Sequence, residues 1–241
     1  MDRFFIPPSQ WGESLALTDE EAHHCRRVMR KRLGDEIEVF NGEGSWARVK
    51  ITALGSIVSL ERIDCGETPR PALQVELAVG IPKGKTFDLV IQKSVELGVA
   101  HIQPLITEQG MVRIEGKEGA KKAEKWNRLV LEACKQCGQN WLPRVSEAQS
   151  FQKWMPEREQ ADFEIISALT EESKPLREIL SEIPLSGFMR VLVGPEGDFS
   201  TAEYELAQEA AMYPASLGTL VLRVETAVIY LLSNIFCQIK M

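Results

Sequence analysis

The sequence has no uninterrupted apolar stretch of the roughly 18 residues that a membrane-spanning helix requires. Residues 1–8 also lack the basic start and the long apolar segment of a secretory signal peptide. These two absences lead us to expect a cytoplasmic protein without a membrane partner.

Metal-binding patterns are scarce in the chain, which has 5 cysteines and 3 histidines. Cys134 and Cys137 form a CxxC pair, but no second pair or neighbouring histidine completes a zinc site. Their spacing places both on one face of a predicted helix, so we favour a buried helical face over a redox or metal-binding pair. We therefore expect no bound metal.

A surplus of positive charge is also absent, because the net charge is −7. This argues against a protein that binds nucleic acid over its whole surface. The charge is nevertheless uneven: residues 83–144 carry 11 Lys and Arg against 7 Asp and Glu, whereas residues 145–241 carry 7 against 15. Since attraction to phosphate acts over about 10 Å, an acidic chain can still present one basic face to RNA.

The first part of the chain has the pattern of short strands and turns, which predicts a small β-rich domain. We predict a helix at residues 19–32, strands at 34–40, 47–51 and 57–61, a hairpin turn at 41–44 and a proline-marked linker at 66–72.

Beyond the linker, apolar strand patterns alternate with helical spacing. We predict strands at 73–79, 99–106, 163–168 and 191–193, and helices at 86–97, 120–137, 173–181, 200–212 and 225–239. This alternation predicts an α/β domain with a largely parallel sheet. Ligands of such sheets bind at the carboxyl ends of the strands.

Two glycine-containing turns fall at predicted strand ends. The turn Gly194–Gly197 lacks the Gly-Lys-Ser/Thr ending of a phosphate loop, and Glu196 would repel an anion. Its glycines allow close backbone approach to a neutral or cationic ligand, although an ordinary strand-to-helix turn explains them as well. The second turn, Leu217–Leu222, is apolar, and its backbone groups could clamp a flat ring such as adenine; the alternative is a core strand.

Three polar residues open the apolar C-terminal helix. Helix capping accounts for Thr226 and for Glu225 at the positive end of the helix dipole. Capping does not account for Arg223, because an arginine at a helix N-terminus opposes the dipole. We therefore favour a ligand-facing role for Arg223.

Both turns, together with the run from Leu222 to Ala227, resemble those of the bacterial small-subunit (16S) ribosomal RNA uridine N3-methyltransferases, which belong to the SPOUT class. Further stretches resemble the same family over nearly the whole chain. They are residues 82–85, 91–99 and 132–138, and His23 with the basic run 26–30. The chain departs from the family at Asp198, where a glycine is usual, and lacks basic residues expected near Gln109, Gln139 and Thr219.

The resemblance implies a PUA-like RNA-binding β-barrel domain over residues 1–70 and a SPOUT methyltransferase domain over 71–241. The latter would have a parallel sheet and a deep trefoil knot at about residues 190–228, and the protein would be a homodimer. By the same resemblance, S-adenosylmethionine would be held by Leu169, Gly194, Glu196, Gly197, Leu217, Gly218, Leu222 and Thr226. Catalysis would fall to Arg223 and Glu225, and ribosomal RNA would contact His23, Arg26, Arg27 and Arg30.

The implied reaction is methylation of N3 of a specific uridine in 16S ribosomal RNA. Two alternatives remain at this stage. One is a non-catalytic RNA-binding or ribosome assembly factor on the same scaffold, and the other is a SPOUT ribose 2′-O-methyltransferase.

Overall fold

The computed structural model describes residues 1–114, 117–184 and 186–238. Its strands are β1 (Arg3–Phe5), β2 (Leu15–Leu17), β3 (Glu36–Phe40), β4 (Ser45–Leu54), β5 (Val58–Glu67), β6 (Leu73–Gly80), β7 (His101–Ile106), β8 (Arg144–Val145), β9 (Gln149–Ser150), β10 (Phe163–Ser167), β11 (Lys174–Pro175), β12 (Gly187–Val193) and β13 (Tyr213–Ser216). Its α-helices are α1 (Asp19–His23), α2 (Thr86–Glu96), α3 (Lys117–Cys137), α4 (Phe151–Glu157), α5 (Leu176–Glu182), α6 (Thr201–Glu209) and α7 (Val224–Gln238).

The chain divides into two compact units. One comprises Met1–Arg70 with Leu131–Leu142, and the other comprises Pro71–Val130 with Pro143–Met241. Within the described residues, no helix combines the length and the apolar character that crossing a membrane requires.

The first unit contains a five-stranded sheet in the order β1-β3-β4-β5-β2. The pairing of β1 with β3 is parallel and the other pairings are antiparallel. The predicted hairpin turn is confirmed between β3 and β4, where the Asn41 side-chain oxygen accepts the backbone N–H groups of Glu43 at 2.8 Å and Ser45 at 3.0 Å. Gly42 and Gly44 take the positive φ angles of 79° and 96° that this turn requires.

The helix predicted at residues 19–32 is shorter in the structure. Helix α1 passes into a single π-helical turn, His24–Val28, and the helical path ends there. Arg30 has a φ of 52°, in the left-handed region that often ends a helix, and the Lys31 N–H donates to the Cys25 carbonyl, six residues earlier, at 3.0 Å. Arg26 and Arg30 therefore do not lie on one face of a continuous helix, as the predicted helix over residues 19–32 would require.

The second unit contains a parallel sheet in the order β11-β13-β10-β12-β6-β7-β8, with β9 also pairing with β7. The predicted α/β architecture with a parallel sheet is confirmed. Helix α6 begins with a capping box of Ser200 and Glu203, and Gly98 follows α2 with a φ of 90°. Helix α7 begins one residue before its predicted start, and Ile239, its predicted end, lies outside the described residues.

A row of ionisable side chains crosses the middle of this sheet in register. We call it the charge ladder: Glu164 on β10, Arg190 on β12, Glu76 on β6 and His101 on β7. Arg190 is 1% exposed and pairs with both carboxylates, and Glu76 Oε2 lies 2.6 Å from Nδ1 of His101. At the other end, Arg158 binds Glu164 Oε2 at 2.7 Å.

Burial by itself would raise the pKa of both ladder carboxyls. For Glu76, the hydrogen bond with His101 and the charge of Arg190 outweigh burial and hold the pKa below its ordinary value. For Glu164, hydrogen bonds from Arg158 and Arg190 have the same effect on the pKa. The ladder is therefore a satisfied ionic network inside an apolar sheet.

Candidate functional site

A cavity of about 300 Å³ lies in the second unit where β10 and β12 end and α7 begins. We call it the loop cavity, because most of its lining comes from the segments that follow β10, β12 and β13. The lining residues are Ser167, Ala168, Leu169, Val193, Gly194, Pro195, Glu196, Asp198, Leu217, Leu220, Val221, Leu222, Arg223, Val224 and Ala227. The cavity lies at the carboxyl edge of a parallel sheet, where proteins with such folds bind their ligands.

The first loop, Gly194–Asp198, is held by close approaches of the backbone. A Cβ atom at Gly80 would lie 2.6 Å from the backbone nitrogen of Pro195, and one at Gly197 would lie 2.9 Å from the carbonyl oxygen of Gln109. Glycine is therefore required at both positions by packing. The Glu196 carboxylate accepts the backbone N–H of Lys83 at 3.0 Å, which fixes this side chain at the rim.

The second loop, Leu217–Arg223, has no regular structure, so its interpretation as a core strand was wrong. Leu220 and Val221 are 74% and 83% exposed. Apart from Gly218, whose N–H donates weakly to Ser216, the N–H groups of this loop make no hydrogen bond within the described part of the chain. These free backbone groups, set among apolar side chains, suit the edge of a flat heteroaromatic ring.

Arg223 stands at the junction of the second loop and α7. Its carbonyl oxygen accepts the N–H of Ala227 at 2.8 Å and so begins the helix. Its side chain is exposed and forms no ion pair with any residue that the structure describes. Its guanidinium group is thus available to a ligand at the cavity.

Two family models match the sequence. One, described as an RNA methyltransferase domain, matches residues 68–236, and the other, described as an RNA methyltransferase PUA domain, matches residues 17–58. The first covers more than half of the chain. The chain belongs to the RNA methyltransferase family. This confirms the assignment that the sequence motifs predicted.

Relatives and solved structures are similar to this RNA methyltransferase over nearly its whole length. Ribosomal RNA small subunit methyltransferase E of Bacillus subtilis is 31% identical, with 100% of this chain and 98% of the relative covered. A solved structure of the enzyme of the same name from Neisseria gonorrhoeae, bound to S-adenosyl methionine, has 30% identity and a TM-score of 0.85 over 97% of this chain and 96% of that one. A Legionella pneumophila structure in complex with the cofactor SAM has 33% identity and a TM-score of 0.87, over 98% and 96%.

The structure of this RNA methyltransferase brings most of the candidate cofactor residues together. The loop cavity is lined by the cofactor candidates Leu169, Gly194, Glu196, Leu217 and Leu222, and by the catalytic candidate Arg223. Gly197, Gly218, Glu225 and Thr226 flank it without forming its wall. Gly218 has a φ of 128°, a backbone conformation that favours glycine, and Glu225 and Thr226 lie in the first turn of α7.

Sequence reasoning did not assign Asp198 to the site, although it lines the cavity. The sequence feature that could have identified Asp198 is its carboxylate, which directly follows the glycine-containing turn Gly194–Gly197. Leu220 and Val221 were included only as part of an apolar loop, because nothing in their sequence distinguishes an exposed leucine from a buried one.

The candidate RNA-binding residues lie in the first unit, around α1 and the π-helical turn. His23, Arg27 and Arg30 are exposed. Arg26 is half-buried, and its Nε donates to the Ala22 carbonyl at 3.1 Å. The π-helical turn, a feature frequent at functional sites, places Arg26 and Arg27 on the surface of this unit.

The two cysteines of the CxxC pair differ in burial. Cys134 is buried and Cys137 is exposed, so the two do not share a buried helix face as expected. Burial raises the pKa of the Cys134 thiol to about 12. In the ranges that the structure describes, no group of three His, Cys, Asp or Glu side chains is arranged to hold a metal ion.

Proposed function

We propose that this protein transfers the methyl group of S-adenosylmethionine to N3 of a specific uridine in 16S ribosomal RNA. The observation that carries the proposal is the loop cavity, where free backbone groups of the second loop and the unpaired Arg223 converge at the carboxyl edge of the sheet. The relatives named for ribosomal RNA methylation, and the neighbours that hold the cofactor, support the same conclusion.

The residues of the cavity fit the chemistry of the cofactor. Leu217 and Leu222 would hold the adenine ring, while Leu169, Gly194 and Glu196 would line the remainder, with Gly197, Gly218 and Thr226 shaping the loops. When bound there, S-adenosylmethionine supplies a methyl group activated by its sulfonium. The two acidic side chains on the cavity, Glu196 and Asp198, suit a ligand that carries positive charge.

The chain itself must stabilise the uracil as N3 loses its proton, because N3 is protonated at neutral pH. The Arg223 guanidinium would stabilise the negative charge that develops on the uracil carbonyl oxygens. Glu225, two residues further on, would accept the N3 proton. The target base must also be unstacked to enter the cavity.

We further propose the finer architecture of the SPOUT class for this chain. Residues 190–228 would form a deep trefoil knot. Residues 1–70 would form a PUA-like β-barrel domain that contacts RNA through His23, Arg26, Arg27 and Arg30, and residues 71–241 would form the methyltransferase domain. The exposed Leu220, Val221 and Tyr230 support a homodimer, and the ribosomal substrate supports a cytoplasmic location.

The test is methylation of small ribosomal subunits prepared from cells that lack this enzyme. The purified protein is incubated with labelled S-adenosylmethionine and either assembled subunits or naked 16S RNA. The RNA is then digested to nucleosides and analysed by mass spectrometry. We expect one 3-methyluridine per subunit. Appearance of 2′-O-methyluridine instead, or no methylation of either substrate, would contradict the proposal.

A further inference from the structure

Asp198 adopts a backbone conformation that is unfavourable for a residue with a side chain. Its φ is 60°, in the left-handed region that glycine occupies freely. Aspartate tolerates this region better than most residues, but still less well than glycine. A strained position that keeps a charged side chain within a cavity points to a use for the charge.

The Asp198 side chain is held by its first oxygen atom. Oδ1 accepts the Tyr204 hydroxyl at 2.9 Å and the Phe199 backbone N–H at 2.9 Å. Burial, and then the charge and hydrogen bond of Asp198, raise the pKa of the Tyr204 hydroxyl, which keeps it a neutral donor. These contacts fix the orientation of the carboxylate group.

The second oxygen is left without a partner. Oδ2 makes no hydrogen bond, and Asp198 makes no ion pair, with any residue that the structure describes. Asp198 is half-buried and lines a cavity whose wall is mostly apolar, so water screens its charge less than that of a surface carboxylate. Glu196, the other acidic residue on the cavity, is exposed and is already tied to the Lys83 backbone.

We propose that Asp198 makes the loop cavity selective for a cation, so that S-adenosylmethionine binds more tightly than S-adenosylhomocysteine. This inference rests on the proposed function. The two ligands differ by the methyl group and the positive charge of the sulfonium. Because Asp198 attracts the reactant but not the neutral product, it favours exchange of the product for fresh cofactor after each methylation.

The test compares the affinities of three ligands by calorimetric titration of the purified full-length protein. They are S-adenosylmethionine, S-adenosylhomocysteine, and sinefungin, an analogue with an ammonium group near the position of the sulfonium. The Asp198→Asn variant keeps the shape of the side chain and removes its charge. We expect the affinities for S-adenosylmethionine and sinefungin to fall about five- to tenfold, and that for S-adenosylhomocysteine to change less than about twofold.

Two further variants separate charge from structure. Asp198→Gly removes the charge and also the strain of the positive φ. It should lose the preference for S-adenosylmethionine over S-adenosylhomocysteine to the same extent, while its thermal midpoint stays within about 3 °C of the wild type. Glu205→Gln removes one charge from an exposed position of α6 that does not line the cavity, and it should leave all three affinities within about twofold.

Equal losses for all three ligands in both Asp198 variants, or no loss for any, would overturn the inference. Asp198 would then contribute only to the conformation of the turn. Failure of the proposed function has a different signature, since the wild-type protein would then bind none of the three ligands. Binding of S-adenosylmethionine by the wild type with unchanged selectivity in the variants would refute the inference alone.

Discussion

Two regions of the parallel sheet differ in how their charged side chains are paired. In the middle of β10, β12, β6 and β7, the side chains of the charge ladder are paired with one another, and Arg190 lies between two carboxylates at 1% exposure. Where β10 and β12 end, Asp198 and Arg223 make no ion pair in the described part of the chain. The comparison indicates that paired charges inside the sheet serve the fold, whereas unpaired charges at its edge are available to a ligand.

The largest effect should come from breaking the ladder at its centre. Arg190→Met leaves Glu76 and Glu164 buried without their shared cation, so we expect a loss of about 3–5 kcal/mol in the free energy of unfolding. Urea denaturation measures the change. Arg177→Met, at an exposed position on α5, is the matched control and should change stability by less than about 0.5 kcal/mol. A loss below about 1 kcal/mol for Arg190→Met would show that the ladder is not structurally important.

The next effect should come from removing the unpaired cation at the edge. Arg223→Ala should lower the methylation rate about 100-fold or more, because the charge that develops on uracil loses its stabilising group. Its unfolding free energy should stay within about 0.5 kcal/mol of the wild type, since the side chain is exposed. Single-turnover methylation and urea denaturation measure the two quantities. A destabilised protein with an unchanged rate would place Arg223 with the structural charges.

Acid should lower the free energy of unfolding through the carboxyl groups of the charge ladder. The folded pKa values of Glu76 and Glu164 are below their ordinary values, so the unfolded state takes up protons first as the pH falls. The ladder's contribution should be fully present above about pH 4.5 and should be lost as the pH drops through the folded pKa values. Urea denaturation between pH 3 and 7 should show a shallower acid decline in Glu164→Gln than in the wild type. An equally steep loss of stability with falling pH in the wild type and in Glu164→Gln would contradict this explanation.

The smallest effect should come from loosening Asp198 without removing it. Tyr204→Phe deletes the hydroxyl that holds Oδ1, while the Phe199 N–H still binds this oxygen. The preference for S-adenosylmethionine over S-adenosylhomocysteine should then fall about two- to threefold, less than in Asp198→Asn. Calorimetric titration with both ligands measures this preference. A loss equal to that of Asp198→Asn would assign the selectivity to the tyrosine rather than to the carboxylate.

The edge of the sheet could be predicted from the sequence, whereas its interior charges could not. Glycines, a capping box and an arginine that opposes a helix dipole are local signals. They indicated the Gly194 turn and α6, which the structure contains, and singled out Arg223, which lines the loop cavity. The ladder depends on registers between strands far apart in sequence, and no local pattern reveals that Glu76 lies beside Arg190.

Other differences from the predicted elements also have local physical causes. Strand β13 was not predicted, because its Pro214 is more typical of a turn than of a strand. In the structure Pro214 lies within this strand and pairs with β10. Helix α6 ends at Glu209, before the predicted Met212, because Ala211 takes a positive φ of 57°. The helix around Arg26 ends early because Arg30 takes a positive φ, and the Lys31 N–H then binds the Cys25 carbonyl; the composition of this segment does not predict either feature.

The measurement that tests the central claim most directly is calorimetric titration of the wild-type protein and of an Ala227→Phe variant with S-adenosylmethionine. Ala227 is 7% exposed and lines the loop cavity, so phenylalanine there would fill it. The account predicts saturable binding of one cofactor per chain to the wild type, weak binding of ATP, and loss of cofactor binding in a variant that still unfolds cooperatively. Undiminished binding in the folded variant, or no binding to the wild type, would contradict it.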